Sequence, residues 1–347
     1  MRKAGGTIAR GALLVALLLG PLAVVLDRRD AAGDLTVFVL AAAALIPLSW
    51  LIGEATDNLA LHTGPGIGGF LNATFGNAPE LIIAILAVSE GLTAIVRASL
   101  VGSIAGNLLL VLGFTLLFAP AGNIDLRSAY ISLGLVALTT VLVLVPAVPG
   151  FHGDPDRRSL AVLSLPIAVV LLIVRVTVTR YSLRRQRRLY PTGELEGGGW
   201  PLPAAIAVLA VVTVVTAVVT ETLLGSLRAF ADAAHLSEFF VAIVGNATEH
   251  GSAVLLARRG RVKLAVEIPL ASSSQIAGLL IPLVALISWG FEPLAFSFRP
   301  VELLALGLAA ALPALVLRTG STTRPGGALL LAVYGVLVVC FYIAGDR

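Results

Sequence analysis

Long apolar runs dominate this sequence and constrain its fold more than any other feature. About 20 apolar residues in a helix cross the hydrocarbon core of a bilayer. Segments of this kind follow one another with short polar breaks along the whole chain. The sequence therefore predicts an all-α integral membrane protein with about 11 transmembrane helices, at residues 11–26, 35–58, 68–90, 94–119, 127–148, 159–180, 201–224, 235–258, 262–289, 299–317 and 326–344.

The composition agrees with a bilayer as the solvent. Hydrophobic residues make up 58% of the chain and charged residues only 13%, with a mean hydropathy of +0.98. Soluble domains carry about 25% charged residues. The net charge of +4 gives no indication of nucleic-acid binding. Because Cys340 is the only cysteine, neither a disulfide framework nor a cysteine-based metal site is expected.

Basic residues at the ends of the segments predict the orientation of the chain. Lys and Arg are enriched in the cytoplasmic loops of membrane proteins. With the N-terminus inside, 16 of the 24 basic residues fall on the cytoplasmic side. The first segment lacks a small-x-small cleavage site, so we expect a retained helix rather than a signal peptide. We therefore expect a multi-pass protein of the bacterial plasma membrane, with a cytoplasmic N-terminus and an external C-terminus.

Two short polar motifs occur once in each half of the chain. Residues 76–80 are Gly-Asn-Ala-Pro-Glu, and residues 245–249 are Gly-Asn-Ala-Thr-Glu. Residues 102–107 are Gly-Ser-Ile-Ala-Gly-Asn, and residues 271–276 are Ala-Ser-Ser-Ser-Gln-Ile. In both halves 23 residues separate the motif glutamate from the following serine, Ser103 or Ser272. Equal spacing between two pairs of motifs indicates an internal repeat.

The repeat predicts the organisation of the chain. Each half contains five segments, and an odd number places the second half upside down in the membrane. Inverted repeats place substrate sites near the bilayer midplane, at broken helices. The breaks are expected at Gly76 and Gly245. The predicted parts are an N-terminal helix (1–33), a first five-helix repeat (34–183), a cytoplasmic linker (184–199) and a second inverted repeat (200–347). The linker contains the sequence Arg-Arg-Gln-Arg-Arg, which is either a solvated surface or a contact for anionic lipid.

The duplicated glutamates, Glu80 and Glu249, are the candidate functional residues. A charge at the bilayer centre costs about 2.5–3.5 kcal/mol on insertion scales, so something must compensate it. No Lys or Arg is expected at comparable depth near either glutamate, which favours a divalent cation. Ca²⁺ takes about six to eight hard oxygen ligands. The predicted ligands are Glu80, Glu249, Asn77, Asn246, Ser103, Ser272, Gln275 and Asn107, although the amide and hydroxyl groups could instead join helices by hydrogen bonds.

Proton coupling follows from the same pair. Once the cation leaves, two carboxylates close together in a dry site favour protonation through desolvation and mutual repulsion. Protons and the cation then compete for the same oxygens, which is a basis for antiport. Glu54 and Glu221 are also related by the repeat, and each is either part of a proton path or an interfacial carboxylate. His250 is either a proton relay or a packing residue.

These motifs resemble the signature repeats of the Ca²⁺/H⁺ exchanger (CAX) family, within the calcium/cation antiporter superfamily. The similarity also covers residues 102–113 (Gly-Ser-Ile-Ala-Gly-Asn-Leu-Leu-Leu-Val-Leu-Gly) and 273–277 (Ser-Ser-Gln-Ile-Ala). The resemblance implies an eleven-helix fold that exports cytosolic Ca²⁺ in exchange for protons by alternating access, without a cofactor. The chain departs from the family pattern at Gly106, where a serine is usual, and in lacking an acidic helix between the halves.

Other functions stay open to different degrees. A sodium-driven exchanger of the same superfamily is the first alternative, although Asn77 and Asn246 stand where such proteins usually carry a Thr-Ser pair. An intramembrane protease is not expected, because its Gly-Asp or His-Glu-x-x-His motifs are absent. A channel is disfavoured because the inverted repeat suits alternating access. The choice between Ca²⁺ and other divalent cations, and the existence of a homo-oligomer, stay open.

Overall fold

The computed structural model describes residues 15–75, 77–189, 199–233, 251–258 and 260–345. These ranges are almost entirely helical and contain no β-strand, apart from an isolated bridge between Asn123 and Ser321. The helices are α1 Leu19–Arg28, α2 Asp34–Phe75, α3 Ala78–Ser89, α4 Thr93–Phe118, α5 Leu126–Gly150, α6 Arg158–Leu189, α7 Leu202–Ala233, α8 Gly251–Arg258, α9 Val262–Gly290, α10 Pro300–Leu317 and α11 Arg324–Ala344.

The predicted all-α membrane fold is confirmed. Within the described ranges, eight helices are long and apolar enough to cross a membrane. The bounds of α4, α5 and α9 differ from the predicted segments by one or two residues. Local signals explain such bounds: Asp125 accepts hydrogen bonds from the backbone N–H groups of Arg127 (3.1 Å) and Ser128 (3.2 Å) and so caps α5. Pro300 begins α10, where a missing N–H is tolerated.

One predicted interruption is wrong. The sequence predicts separate segments at 35–58 and 68–90, with Gly64 and Pro65 between them, but α2 is one helix of 42 residues. In lipid the backbone must satisfy its own hydrogen bonds, which favours continuing a helix through Gly and Pro. The predicted linker begins at residue 184, whereas α6 continues to Leu189. Arg, Gln and Leu all have high helix propensity, so this polar sequence extends the helix.

The chain packs as two compact units, and each takes segments from both predicted repeats. Unit 1 contains residues 1–86 and 178–235, and unit 2 contains residues 87–177 and 236–347. The division into an N-terminal helix, two repeats and a linker describes sequence repetition rather than compact units, and its boundaries stay a prediction.

Unit 1 is built around the packing of α2 against α7. Small side chains on α2, including Ala41, Ala44 and Ala55, are completely buried in its core. Gly20 of α1 lies so close to α7 that a Cβ atom there would be 3.1 Å from Cγ2 of Val219. Small residues let helix backbones approach closely, which is how helices associate where lipid removes the hydrophobic driving force.

Unit 2 has a buried polar and small-residue interior and an apolar exterior. On α5, Val141 is 60% exposed while Thr139 is 1% exposed, because this surface faces hydrocarbon rather than water. The Thr139 hydroxyl donates to the carbonyl oxygens of Leu135 (2.9 Å) and Ala277 (3.2 Å). Hydroxyl groups that bond to their own helix can be buried without leaving a polar atom unsatisfied.

Both α4 and α9 change from α-helical to π-helical geometry in mid-course. The π segment of α4 is Gly106–Val111, and that of α9 is Ile276–Leu280. The motif spacing aligns Gly106 with Gln275, so the two π segments begin at positions that match within one residue. This match supports the internal repeat through backbone geometry, independently of residue identity. Single π turns inside α-helices occur frequently at functional sites.

A non-helical segment, Leu294–Phe298, lies between α9 and α10 inside unit 2. Its five residues are each at most 1% exposed. The Leu294 N–H donates to Ser288 Oγ (2.8 Å), and the Phe296 N–H donates to Ser164 Oγ (2.9 Å). Non-helical backbone at membrane depth requires such protein partners. The two serines therefore allow non-helical backbone to be buried.

A glycine contact between α4 and α11 gives a stability prediction. A Cβ atom at Gly327 would lie 2.6 Å from the carbonyl oxygen of Gly113 and 2.8 Å from the backbone nitrogen of Leu117. Since both neighbours are backbone atoms, Gly327→Ala must separate the helices. We expect a loss of about 2–3 kcal/mol, measured as a lower Tm of the purified protein in detergent.

The matched control is Gly335→Ala on the same helix, because no atom lies within 4 Å of a Cβ there. Its Tm should equal or exceed that of the wild type, since alanine favours the helix. Equal melting temperatures for the Gly327 and Gly335 variants would contradict the close packing of α4 and α11.

Candidate cation site

Unit 1 contains Glu80 at the start of a short helix. Because α3 begins at Ala78, Glu80 lies in the first turn of this helix. The side chain of Glu80 is only 4% exposed, and that of Asn77 is 1% exposed. Pro79 suits a first turn, where its absent N–H costs nothing. The predicted break at Gly76 lies outside the described residues and stays a prediction.

Glu80 thus lies at the start of a helix. The N-terminus of a helix carries a partial positive charge, which stabilises a nearby carboxylate. A half-helix start thus offers Glu80 some compensation before any cation binds. Broken helices in transporters use their termini at ion sites in this way. The depth of Glu80 in the bilayer stays a prediction.

Unit 2 brings together the second polar motifs of both halves. Asn107, in the π segment of α4, donates from Nδ2 to Ser272 Oγ of α9 at 3.1 Å. Ser103, Asn107 and Ser272 are 3%, 4% and 6% exposed. The Ser103 hydroxyl finds no hydrogen-bond partner within the described chain. Gln275, the last α-helical residue before the π segment, is half-buried.

The three consecutive serines of α9 have different partners. Ser272 contacts Asn107 of α4, whereas Ser273 donates to the carbonyl oxygen of Pro269 (2.9 Å) and Ser274 to that of Ala271 (2.8 Å). Ser272 and Ser274 thus both contact the first half of the chain, through Asn107 of α4 and Arg175 of α6, whereas Ser273 bonds within its own helix. The sequence alone does not separate these serines, because it does not show which face of α9 meets which helix.

Of the predicted proton-path residues, Glu54 and Glu221 lie in unit 1. Glu54 on α2 is half-buried, and Glu221 on α7 is exposed. The carbonyl oxygen of Glu54 accepts a hydrogen bond from Asn58 Nδ2 at 2.7 Å. Unequal burial of two residues at repeat-related positions indicates that the halves are not functionally identical here. The predicted residues Asn246, Glu249 and His250 lie outside the described residues.

Arg97 forms a buried ion pair that the sequence did not indicate. We expected Arg97 to be a flanking charge, but its side chain is 1% exposed. Its guanidinium donates to both carboxylate oxygens of Asp156, at 2.6 and 3.3 Å, and to the carbonyl oxygen of Ala295 at 3.4 Å. A planar guanidinium matches a carboxylate in two-point contact. Arg97 therefore connects the start of α4 with the α5–α6 loop and with the buried segment Leu294–Phe298.

Arg175 is a half-buried cation that contacts the polar motif at residues 271–276. Its Nη1 donates to Ser274 Oγ at 3.3 Å, next to Gln275. The sequence carries one signal that could have found it: Arg175 interrupts an otherwise apolar run in the sixth segment, Ile-Val-Arg-Val. An ionisable residue inside such a run is a functional candidate by default.

The described polar atoms are hard oxygen donors of three kinds. Glu80 offers a carboxylate in unit 1, and unit 2 offers the hydroxyl oxygens of Ser103 and Ser272 and the amide oxygens of Asn107 and Gln275. Carboxylate, amide and hydroxyl oxygens suit Ca²⁺ and similar cations better than soft metals. The residues are thus chemically suited to handling a hard divalent cation.

Comparison with known proteins agrees with the fold and the motifs. The model of the family described as "Sodium/calcium exchanger protein" matches residues 34–184 and 204–343. A Ca²⁺/H⁺ antiporter of Synechocystis sp. is 34% identical over 340 residues, covering 89% of this chain and 91% of the relative. The Ca²⁺/H⁺ antiporter ChaA of Bacillus subtilis is 35% identical over 328 residues, covering 88% and 92%.

Among solved structures, native YfkE superimposes with a TM-score of 0.80 at 30% identity. The match covers 95% of this chain and 99% of YfkE. Since nearly the whole of both chains is included, the likeness extends to the helical architecture as a whole.

Proposed function

Because this chain belongs to the sodium/calcium exchanger protein family, we propose that it exports cytosolic Ca²⁺ in exchange for protons by alternating access. The proposal rests on one observation above all: a carboxylate, Glu80, is 4% exposed at the start of a half-helix in a chain over 30% identical to proteins named Ca²⁺/H⁺ antiporters. These relatives are transporters, so the chain is a transporter rather than an enzyme.

The proposed chemistry is competition between two kinds of ion for the same oxygens. Glu80 and Glu249 alternately bind Ca²⁺ and protons. When Ca²⁺ is bound, both carboxylates are ionised; when it leaves, protonation removes the cost of keeping ionised carboxylates in a dry site. The binding of one ion thereby requires release of the other. Further oxygens for the transported ion come from Asn77, Asn246, Ser103, Ser272, Gln275 and Asn107.

The proton path is proposed to include Glu54, Glu221 and His250. The half-buried position of Glu54 suits a group that exchanges protons between water and the protein interior. The exposure of Glu221 suits a group at the entrance of such a path.

The chain is a multi-pass membrane protein, and we propose the bacterial plasma membrane as its location. Two bacterial relatives are named Ca²⁺/H⁺ antiporters. The excess of basic residues on one side favours a cytoplasmic N-terminus and an external C-terminus. The Arg-rich region at residues 184–188 is proposed to contact anionic lipid at the cytoplasmic surface.

The test is uptake of radioactive Ca²⁺ by proteoliposomes containing the purified protein. An acidic interior should drive uptake without sodium, because protons leave as Ca²⁺ enters. An interior rich in sodium at equal pH should drive none. Uptake under the second condition alone would replace the proposal with sodium-driven exchange, the alternative that the description of the matching family favours.

A channel is distinguished in the same vesicles. Alternating access predicts that unlabelled Ca²⁺ inside the vesicles accelerates entry of labelled Ca²⁺ at zero net gradient, and that the rate saturates. Conduction that neither saturates nor responds to Ca²⁺ on the opposite side would contradict an antiport mechanism.

A further inference from the structure

Arg175 places a guanidinium inside the apolar part of α6, where a charge is costly. The residue lies within the candidate span Arg158–Tyr181 and is half-buried in the protein. Intramembrane Arg residues face the protein interior and commonly mark functional positions. No carboxylate pairs with Arg175 within the described ranges, and its Nε has no hydrogen-bond partner there. Among the described residues, no ion pair therefore accounts for its presence.

Both ends of the Arg175 side chain contact α9 where that helix changes geometry. The Nη1 atom donates to Ser274 Oγ at 3.3 Å, one residue before the α-helical part ends at Gln275. The aliphatic stem crosses Gly278 in the π segment, where a Cβ atom would be 3.3 Å from Cδ of Arg175. The guanidinium of Arg175 thus contacts the α-helical part of α9, and its aliphatic chain lies against the π segment.

A hydrogen bond from α5 reaches the same α-to-π junction. The Thr139 hydroxyl of α5 donates to the carbonyl oxygen of Ala277 at 3.2 Å. The π segment of α9 is therefore contacted by polar groups of both α5 and α6. Backbone carbonyls near a π turn are displaced from the regular α-helical hydrogen-bond pattern, so external donors can stabilise that local geometry.

The first half of the chain has no counterpart of this arrangement. At the positions equivalent to Ser274 and Gly278 it carries Ala105 and Leu109. Alanine cannot accept a hydrogen bond through its side chain, and leucine blocks the approach that glycine allows. The contact of an arginine with a serine and a glycine at the α-to-π junction is therefore specific to α9, the helix that carries Ser272 and Gln275.

We propose that Arg175 is a positioning residue for Ca²⁺ binding, which holds the α-to-π junction of α9 through Ser274 and Gly278. With the junction fixed, Ser272 keeps its hydroxyl toward Asn107 and Gln275 keeps one orientation of its amide. A shift of the junction by one residue would turn both side chains about the helix axis by about 100°. The inference rests on the proposed function, because Ser272 and Gln275 are proposed ligands of the transported ion.

The test compares Ca²⁺ transport by Arg175→Met, Arg175→Lys, Ser274→Ala and the double variant Arg175→Met/Ser274→Ala in proteoliposomes. Methionine keeps most of the stem but removes the charge and the donors. We expect Arg175→Met to raise KM for Ca²⁺ about tenfold, the size of one charge-assisted hydrogen bond, with Vmax changed less than about twofold. Arg175→Lys should recover part of the affinity, because it restores one donor.

The contact itself predicts non-additive effects. If Arg175 acts through Ser274, the double variant should have the same KM as Arg175→Met, within about twofold. The matched control is Arg180→Met, an exposed arginine on the same helix, whose KM should equal that of the wild type. A wild-type KM for Arg175→Met, or effects that multiply in the double variant, would overturn the inference.

A second readout separates this inference from the proposed function. Ca²⁺ that binds the folded protein raises its Tm, whether or not transport follows. A wild-type protein with a Ca²⁺-dependent Tm shift but no proton-driven uptake would contradict antiport, while the loss of that shift in Arg175→Met would still support the positioning role. If the wild type shows neither uptake nor shift, both proposals fall. If Arg175→Met does not fold, Arg175→Lys and Ser274→Ala decide the question through the same two measurements.

Discussion

Replacing Glu80 with Gln should reduce proton-driven Ca²⁺ uptake by at least about 100-fold. Mutating a residue that only hydrogen-bonds to a metal ligand usually causes a smaller loss. Gln has the shape of Glu but neither the negative charge that attracts Ca²⁺ nor the ability to take up a proton. Both halves of the exchange are therefore removed together. Because the buried group becomes neutral, the protein should fold and be recovered from the membrane in normal amount.

Glu90→Gln is the matched control for this change. Glu90 follows the other end of α3 and is exposed, so its neutralisation should leave uptake unchanged. Uptake is measured at several Ca²⁺ concentrations with a fixed pH difference, which separates a loss of affinity from a loss of turnover. Normal transport by Glu80→Gln would contradict the central role proposed for this carboxylate.

Arg97→Met should cause the largest loss of stability among substitutions of charged residues in unit 2. The change leaves the Asp156 carboxylate and the Ala295 carbonyl oxygen without their buried donor. Breaking one side of a buried ion pair costs about 3–5 kcal/mol. Since Asp156 keeps 28% of its side chain exposed, water should replace part of the contact, and the lower end of this range is expected. Tm of the purified protein measures the effect.

The pair can be tested without relying on one variant. Adding Asp156→Asn to Arg97→Met should restore part of the lost stability, because it removes the uncompensated charge. Arg318→Met, at an exposed arginine, is the control and should leave Tm unchanged. A double variant less stable than Arg97→Met would show that the two side chains do not act as a pair.

Much of the helical fold could be predicted because the bilayer imposes a length on each apolar run. Segments such as 94–119 and 127–148 end at polar or proline-rich sequence, and the helices begin and end within two residues of them. The prediction failed at α2, where Gly and Pro signals near residue 65 compete with the need to satisfy the backbone inside lipid. Local turn signals are weaker in that solvent than in water.

The site could be predicted in part, because repeated motifs identify polar residues without showing how helix faces meet. The sequence pointed to Asn107 and Ser272, and the structure brings them within 3.1 Å. It could not distinguish Ser272 from Ser274, since it does not show which face of α9 meets α4 and which meets α6. Nor could it assign Arg97 to a protein-facing position, because a basic residue near a segment end usually lies at the membrane surface.

The paired π segments also carry information about the history of the chain. A π turn holds one residue more than the α turn it replaces, so each half contains an extra residue in the same helix. A single insertion in an ancestral five-helix unit, followed by duplication of its gene, would account for both. On that account the insertion would be older than the duplication, and Gly106 and Gln275 would have diverged on helices that already shared the extra residue.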